Sequence, residues 1–261
     1  MPGLRIERRG TVAILVIENV GQRNCLTAEM WQQLGPILDS LAADETVMVL
    51  VVTGAGDDFS AGADIRDLDR ILNAPTGADG GWITAAEDAL AHFAKPTIAA
   101  IDGYCVGGGW ELAGACDIRI ASSRASFGVT PSRIGIVYPL SGIERLVAIT
   151  GPAVAKLLLF SGDLVTASDA QRFGMVTRVV GVNALMPEAL AFAAHLASRS
   201  QLSIRAMKEI VDAIVSDGDA ATVTQRWQAE MVASDEPAIG AAAFIEKKRP
   251  EFIWRGAASQ L

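Results

Sequence analysis

The chain has 261 residues, 51% of them hydrophobic and 20% charged with only 10 prolines, a make-up that excludes disordered and collagen-like chains. Its 22 Lys+Arg against 30 Asp+Glu leave a net charge of -8, so neither nucleic acid nor an anionic membrane surface is an expected partner. Three cysteines in no CxxC pair, Cys25, Cys105 and Cys116, fit free and mostly buried thiols in a reducing cytoplasm.

The first nine residues are too polar for the apolar stretch of an export signal. Residues 11–18 are β-branched and read as a strand ending in a Gly/Asn/Arg loop at 19–24. Residues 27–41 place Met30, Leu34, Ile37, Leu38 and Leu41 on one helical face. Residues 47–53 form a near-continuous apolar strand of the kind buried on both faces, far short of the ~20 residues of a bilayer span. A cytoplasmic protein is expected. After a loop at 54–58, the next strand is 97–101; Asp102-Gly103 turns it, residues 107–115 begin a short helix on three glycines, and 117–121 is a strand. From about Gly151 the spacing is helical throughout, at 152–160, 168–173, 187–198, 202–215, 220–233 and 237–248. The expected layout is α/β first and all-α last, in one compact unit.

The usual catalytic patterns are missing. His92 and His195 lie in alanine-rich helical stretches and suit partly buried helix positions. There is no Cys/His cluster for zinc, no GxSxG and no GxxxxGK[ST]. Two glycine-flanked loops remain, FSAGADI at 59–65 and DGYCVGGGWEL at 102–112. Small residues where a strand gives way to a helix leave backbone N–H groups uncovered, and such groups attract a developing negative charge. Tight helix–sheet packing explains either loop alone equally well.

Together with KPTIAAIDGYCVGGGWELAGACDIRIAS and the late FIEKKRPEF, these loops resemble the crotonase superfamily of enoyl-CoA hydratases, isomerases and relatives, along nearly the whole chain. The resemblance implies a spiral of ββα units over 1–200 and a helical C-terminal region at 201–261 that forms homotrimers or homohexamers. It implies an acyl-CoA substrate, with coenzyme A a part of that substrate and neither separate cofactor nor metal. Its thioester oxygen would be held by the amides of Ala63 and Gly108, a donor pair that lowers the barrier to an enolate.

Hydratases of the family use two glutamates. The one in GGGxE is present as Glu111, whose burial on a core-facing helix would raise its pKa and suit proton transfer. The other ends an FGxPE loop; here the stretch is FGVTPSRIG, and Pro131 takes its place. The segment Thr130-Pro131…Gly135…Tyr138 looks instead like the methylmalonyl-CoA decarboxylase branch, in which a tyrosine helps hold the departing carboxylate. Tyr138 falls on that position, although the bacterial decarboxylase has histidine where this chain has Ala63. Decarboxylation of a malonyl-type acyl-CoA is therefore the expected reaction. Hydration or isomerisation by Glu111 is the alternative, and non-catalytic acyl-CoA binding a third reading. Arg23, Asn24 and Lys247 are candidate partners for the CoA phosphates and adenine; Ala61, Asp64, Ile65 and Thr130 are candidate substrate contacts. Asp64 and Asp117 also suit capping of local backbone.

Overall fold

The computed structural model describes residues 2–76 and 79–256. The chain starts with a hairpin, β1 (Gly3–Arg9) and β2 (Val12–Glu18), and continues through α1 (Ala28–Ala43) to β3 (Val49–Gly54). Two short segments, α2 (Leu68–Leu72) and α3 (Gly81–Ala91), precede β4 (Thr97–Ile101), β5 (Tyr104–Val106) and α4 (Gly108–Ala115). The pattern repeats as β6 (Ile118–Ser122), β7 (Ser126–Gly128), α5 (Pro131–Ile134) and the long α6 (Leu140–Ser161). Then come β8 (Leu164–Thr166), α7 (Ala167–Arg172), β9 (Arg178–Val180), α8 (Leu185–Ala197) and the closing helices α9 (Gln201–Val215), α10 (Ala220–Ala233) and α11 (Glu236–Ile245).

The strands fall into two sheets, one ordered β1-β2-β3-β4-β6-β9 and the other β5-β7-β8. Apart from the β1–β2 hairpin the larger sheet is parallel. Successive ββ pairs, β4 with β5 and β6 with β7, give one strand to each sheet before the chain turns into a helix. This is the coil of ββα units that the resemblance implies. The larger sheet is buried on both faces. Leu50 and Val52 of β3 join the main core with Trp31 and Leu34 of α1, whereas Val49 and Val51 pack with Leu185, Ala189 and Ala193 of α8. That double burial explains why residues 47–53 show no polar alternation. The Thr27 hydroxyl caps α1 by accepting from the Met30 amide, and buried Lys95 closes its other end, donating to the carbonyls of Leu41 (2.9 Å) and Asp44 (2.7 Å).

Several expectations need correction. The part after Gly151 is not all helix: β8 lies there, and β9 forms the sheet edge beside β6. The helix expected to start at Pro152 begins at Leu140 and bends at Gly151, whose φ of 76° breaks the helical path. Residues 3–9, passed over as polar, are β1, turning Leu4 and Ile6 toward the core. Both histidines are exposed rather than partly buried. All three cysteines are free and buried, as expected. Among the described residues no helix is long and apolar enough to cross a membrane.

Candidate active site

Backbone hydrogen bonds zip the two glycine loops together. Phe59 and Ser60 donate to the carbonyls of Asp102 (2.7 Å) and Tyr104 (2.8 Å), and Val106 donates back to Ser60 (3.0 Å). On its other side the first loop is tied to the segment before α1, through Ala61 to Arg23 (2.9 Å), Leu26 to Gly62 (2.8 Å) and Asp64 to Leu26 (2.9 Å). This approach requires glycine. A Cβ on Gly62, which has φ +95°, would lie 2.7 Å from the Val106 carbonyl oxygen and 2.9 Å from the Gly108 nitrogen. A Cβ on Gly109 would lie 2.4 Å from the Ser60 oxygen.

Within this zipper two amides are left over. The amides on either side of Ala63 are used, Gly62 by Ser60 Oγ and Asp64 by Leu26, and Gly107 donates to Gly128. The amides of Ala63 and Gly108 have no acceptor among the described residues. They are close, since a Cβ on Gly108 would lie 3.5 Å from the Ala63 nitrogen. Gly108 is also the first residue of α4, so the positive end of that helix points the same way. Paired free donors at a helix start are an arrangement able to hold an oxyanion.

One turn into α4, Glu111 is 3% exposed, and its Oε1 is buried with no hydrogen-bond partner. Burial above all, and then the nearby carboxylate of Glu87, push its pKa well above the ordinary glutamate value, with Arg145 pulling the other way. Tyr138 is 7% exposed, and its hydroxyl is also unpartnered. A Cβ on Gly107 would sit 3.8 Å from that hydroxyl and 3.9 Å from Thr130 Oγ1, so both groups close on the residue before the second donor. Pro131 is the buried first residue of α5 and brings no acid or base.

The remaining candidates separate. Arg23 is exposed and lies over the Tyr104 ring at 4.3 Å, beside the first loop. Asn24 does not serve as a CoA contact: it is fully buried, its Oδ1 accepts from Asn19 and its Nδ2 donates to Ala55 (2.7 Å) and Asp58 (2.6 Å). Asp64 caps the turn that follows, accepting from the Arg66 amide and pairing with its guanidinium. Asp117 accepts from the Thr97 amide (2.7 Å), a structural role too. Ala61 is half-buried, Ile65 is 70% exposed, and Lys247 is exposed just past α11. Sequence reasoning passed over Glu87 and Arg145, because nothing near either of them in the chain signals their partners.

The pattern of the enoyl-CoA hydratase/isomerase family matches residues 7–255. This chain belongs to the enoyl-CoA hydratase/isomerase family. It is 33% identical over 258 residues to the crotonyl-CoA hydratase of Syntrophomonas wolfei, covering 95% of this chain and 96% of that one. It is 31% identical to the 2,3-dehydroadipyl-CoA hydratase of Escherichia coli, covering 98% and 100%. A solved family protein from Hyphomonas neptunium superimposes with a TM-score of 0.90 at 33% identity, covering 98% of each chain. As a member of this family the chain is a crotonase-fold enzyme of CoA thioesters. Its named relatives are hydratases, which favours the alternative kept open above over the decarboxylation expected from Pro131 and Tyr138.

Proposed function

We propose that this enzyme hydrates the 2,3 double bond of an enoyl-CoA through an enolate, with coenzyme A entering as part of the substrate. The observation that carries the reading is the pair of free amides at Ala63 and Gly108 with the buried Glu111 carboxyl one helical turn away. In the forward step the oxygen of water bonds to the β carbon, and the π electrons pass to the thioester oxygen between the two amides. Glu111, ionised, takes the proton that water loses. It returns that proton to the α carbon as the enolate collapses, so one molecule of water is added and the carboxylate is restored. One carboxylate can serve both transfers because they are sequential, and a raised pKa makes it a stronger base in the first. Each donor amide contributes roughly 100- to 1,000-fold by favouring the charge that exists only beyond the ground state.

The same proposal gives Arg23 and Lys247 the phosphate and adenine end of CoA. Ala61, Ile65 and Thr130 border the acyl chain, while the Asp64 side chain shapes the loop. It also gives 201–261 to assembly as a trimer or hexamer, supported by Met207, Val211, Ile214 and Val215 exposed on α9, and places the enzyme in the cytoplasm, supported by its free buried thiols. The test is crotonyl-CoA, whose conjugated-enoyl absorbance should fall on adding the enzyme; an unchanged spectrum overturns hydration. Decarboxylation remains a second reading because Pro131 leaves no second glutamate in α5 and the Tyr138 hydroxyl points to Gly107. It requires that Tyr138→Phe slow CO2 release from methylmalonyl-CoA.

A further inference from the structure

Glu87 belongs to none of the motifs that mark the site. It sits on α3, 1% exposed, and pairs with Arg145 of α6 at 2.6 Å, while the Ser141 hydroxyl donates to its other oxygen at 3.2 Å. Arg145 also holds Asp88 at 2.5 Å. Glu87 and Glu111 converge on Gly142, where a Cβ would lie 3.0 Å from Glu111 Oε1 and 3.5 Å from Glu87 Oε1. Glycine at that position leaves no side chain in the way of either carboxyl. The groups that face Glu111 are thus Glu87 from α3, Arg145 from α6 and the Tyr138 hydroxyl from the segment before α6. One guanidinium is shared by two carboxylates, Glu87 and Asp88. Among the described residues Glu111 has no ion pair of its own.

We propose that Glu87, clamped by Arg145, is the positioning residue of Glu111 and the second carboxylate of the site, supplied from α3 where α5 offers only Pro131. This rests on the reading of Glu111 as proton carrier. With 1% exposure, Arg145 on Oε1 and the Ser141 hydroxyl on Oε2, Glu87 is too enclosed to touch substrate. It acts through its charge. A carboxylate held beside Glu111 opposes ionisation there and so makes Glu111 a stronger base once ionised. Burial raises the Glu87 pKa as well; the Arg145 charge opposes that rise and so favours the ionised form, and the pair keeps Glu87 aimed at the same glycine. A family glutamate on the α5 loop would share proton transfer directly; Glu87 instead tunes the single group that carries the proton.

The discriminating variant is Glu87→Gln, which keeps the shape, the Ser141 contact and the Arg145–Asp88 pair. Hydration needs ionised Glu111, so the kcat profile has an acid limb above the ordinary glutamate range. Removing the Glu87 charge should move that limb down by about one pH unit or more and lower the plateau as the base weakens. A Glu87→Gln enzyme that is slower at every pH with an unmoved limb would show a merely structural role and overturn the proposal. A second readout needs no turnover: the infrared band of the protonated Glu111 carboxyl, identified by its loss in Glu111→Gln, followed against pH. A lower midpoint in Glu87→Gln than in the wild type supports the assignment, and equal midpoints overturn it. Wild-type protein inactive on every enoyl-CoA, with the band shift present, would overturn hydration and leave the Glu87 assignment standing.

Discussion

Glu111→Gln separates chemistry from stability at one position. The side chain is 3% exposed, its Oε1 has no partner, and the one nearby guanidinium is taken up by Glu87 and Asp88. The amide replaces the carboxyl in shape, removes the proposed proton carrier and cannot ionise. Loss of a general acid–base group costs about 100- to 10,000-fold, and that fall in kcat/KM is expected with crotonyl-CoA. Stability should move the other way. The Glu111 pKa is raised in the folded state, so between the ordinary glutamate value and that raised value the native protein binds more protons than the unfolded chain. The wild type therefore loses stability as pH rises through this window, by about 1.4 kcal/mol per unit of difference between the two pKa values. Glu111→Gln has no such loss. Below the window the two proteins should melt together, and above it the variant should melt higher. Thermal unfolding by circular dichroism at a series of pH values checks this. A variant within tenfold of wild-type kcat/KM, or one that melts lower than wild type at neutral pH, would refute the role and the burial argument respectively.

Gly108→Pro deletes one of the two free amides, the proposed oxyanion donors, at a first helical position, where the proline backbone fits, but a Cβ there would lie 2.8 Å from Trp31 Cζ2. The variant is best read in a Trp31→Phe background, where a further loss of about 100- to 1,000-fold is expected, and near-parental kcat in the folded double variant would remove Gly108 from the site. Burial raises the thiol of Cys105 well above its usual pKa and that of Cys116 to about 12, so neither should react with a thiol reagent at pH 8 until the protein unfolds; fast native labelling of either contradicts the core described here. The exposed apolar residues of α9, with Phe244 (86% exposed) and Ile245 (79%) on α11, predict trimers or hexamers by light scattering at micromolar concentration, and a monomer refutes that assembly.

How much of this was legible in the sequence depended on the range of the interactions. β2, β3 and β4 were visible because five or six consecutive residues in each, nearly all apolar, are buried. The strands β5, β7 and β8 have three residues each, too few to carry a period, and exist because their neighbours pair with them. The first half of α6 was hidden by Pro139, Gly142 and the Gly151-Pro152 break, although only Gly151 leaves the helical path. The donor pair was legible through its glycines, since backbone approach demands that residue type locally. Asn24 misled because a polar residue in a loop looks available, and only the fold shows its amide bonded to residues more than thirty positions away. Glu87 gave no signal at all: a lone carboxylate on an alanine-rich helix gains meaning only from Ser141, Gly142 and Arg145, more than fifty positions later.

The central claim is that the paired amides and Glu111 add water to an enoyl-CoA. The most direct measurement is mass spectrometry of the products formed by the wild-type enzyme from separate crotonyl-, malonyl- and methylmalonyl-CoA incubations. Crotonyl-CoA should gain one water in the wild type and fail to do so in Glu111→Gln, with the two malonyl-type esters unchanged. Loss of CO2 from a malonyl-type ester while crotonyl-CoA stays intact would contradict the account and return the enzyme to decarboxylation.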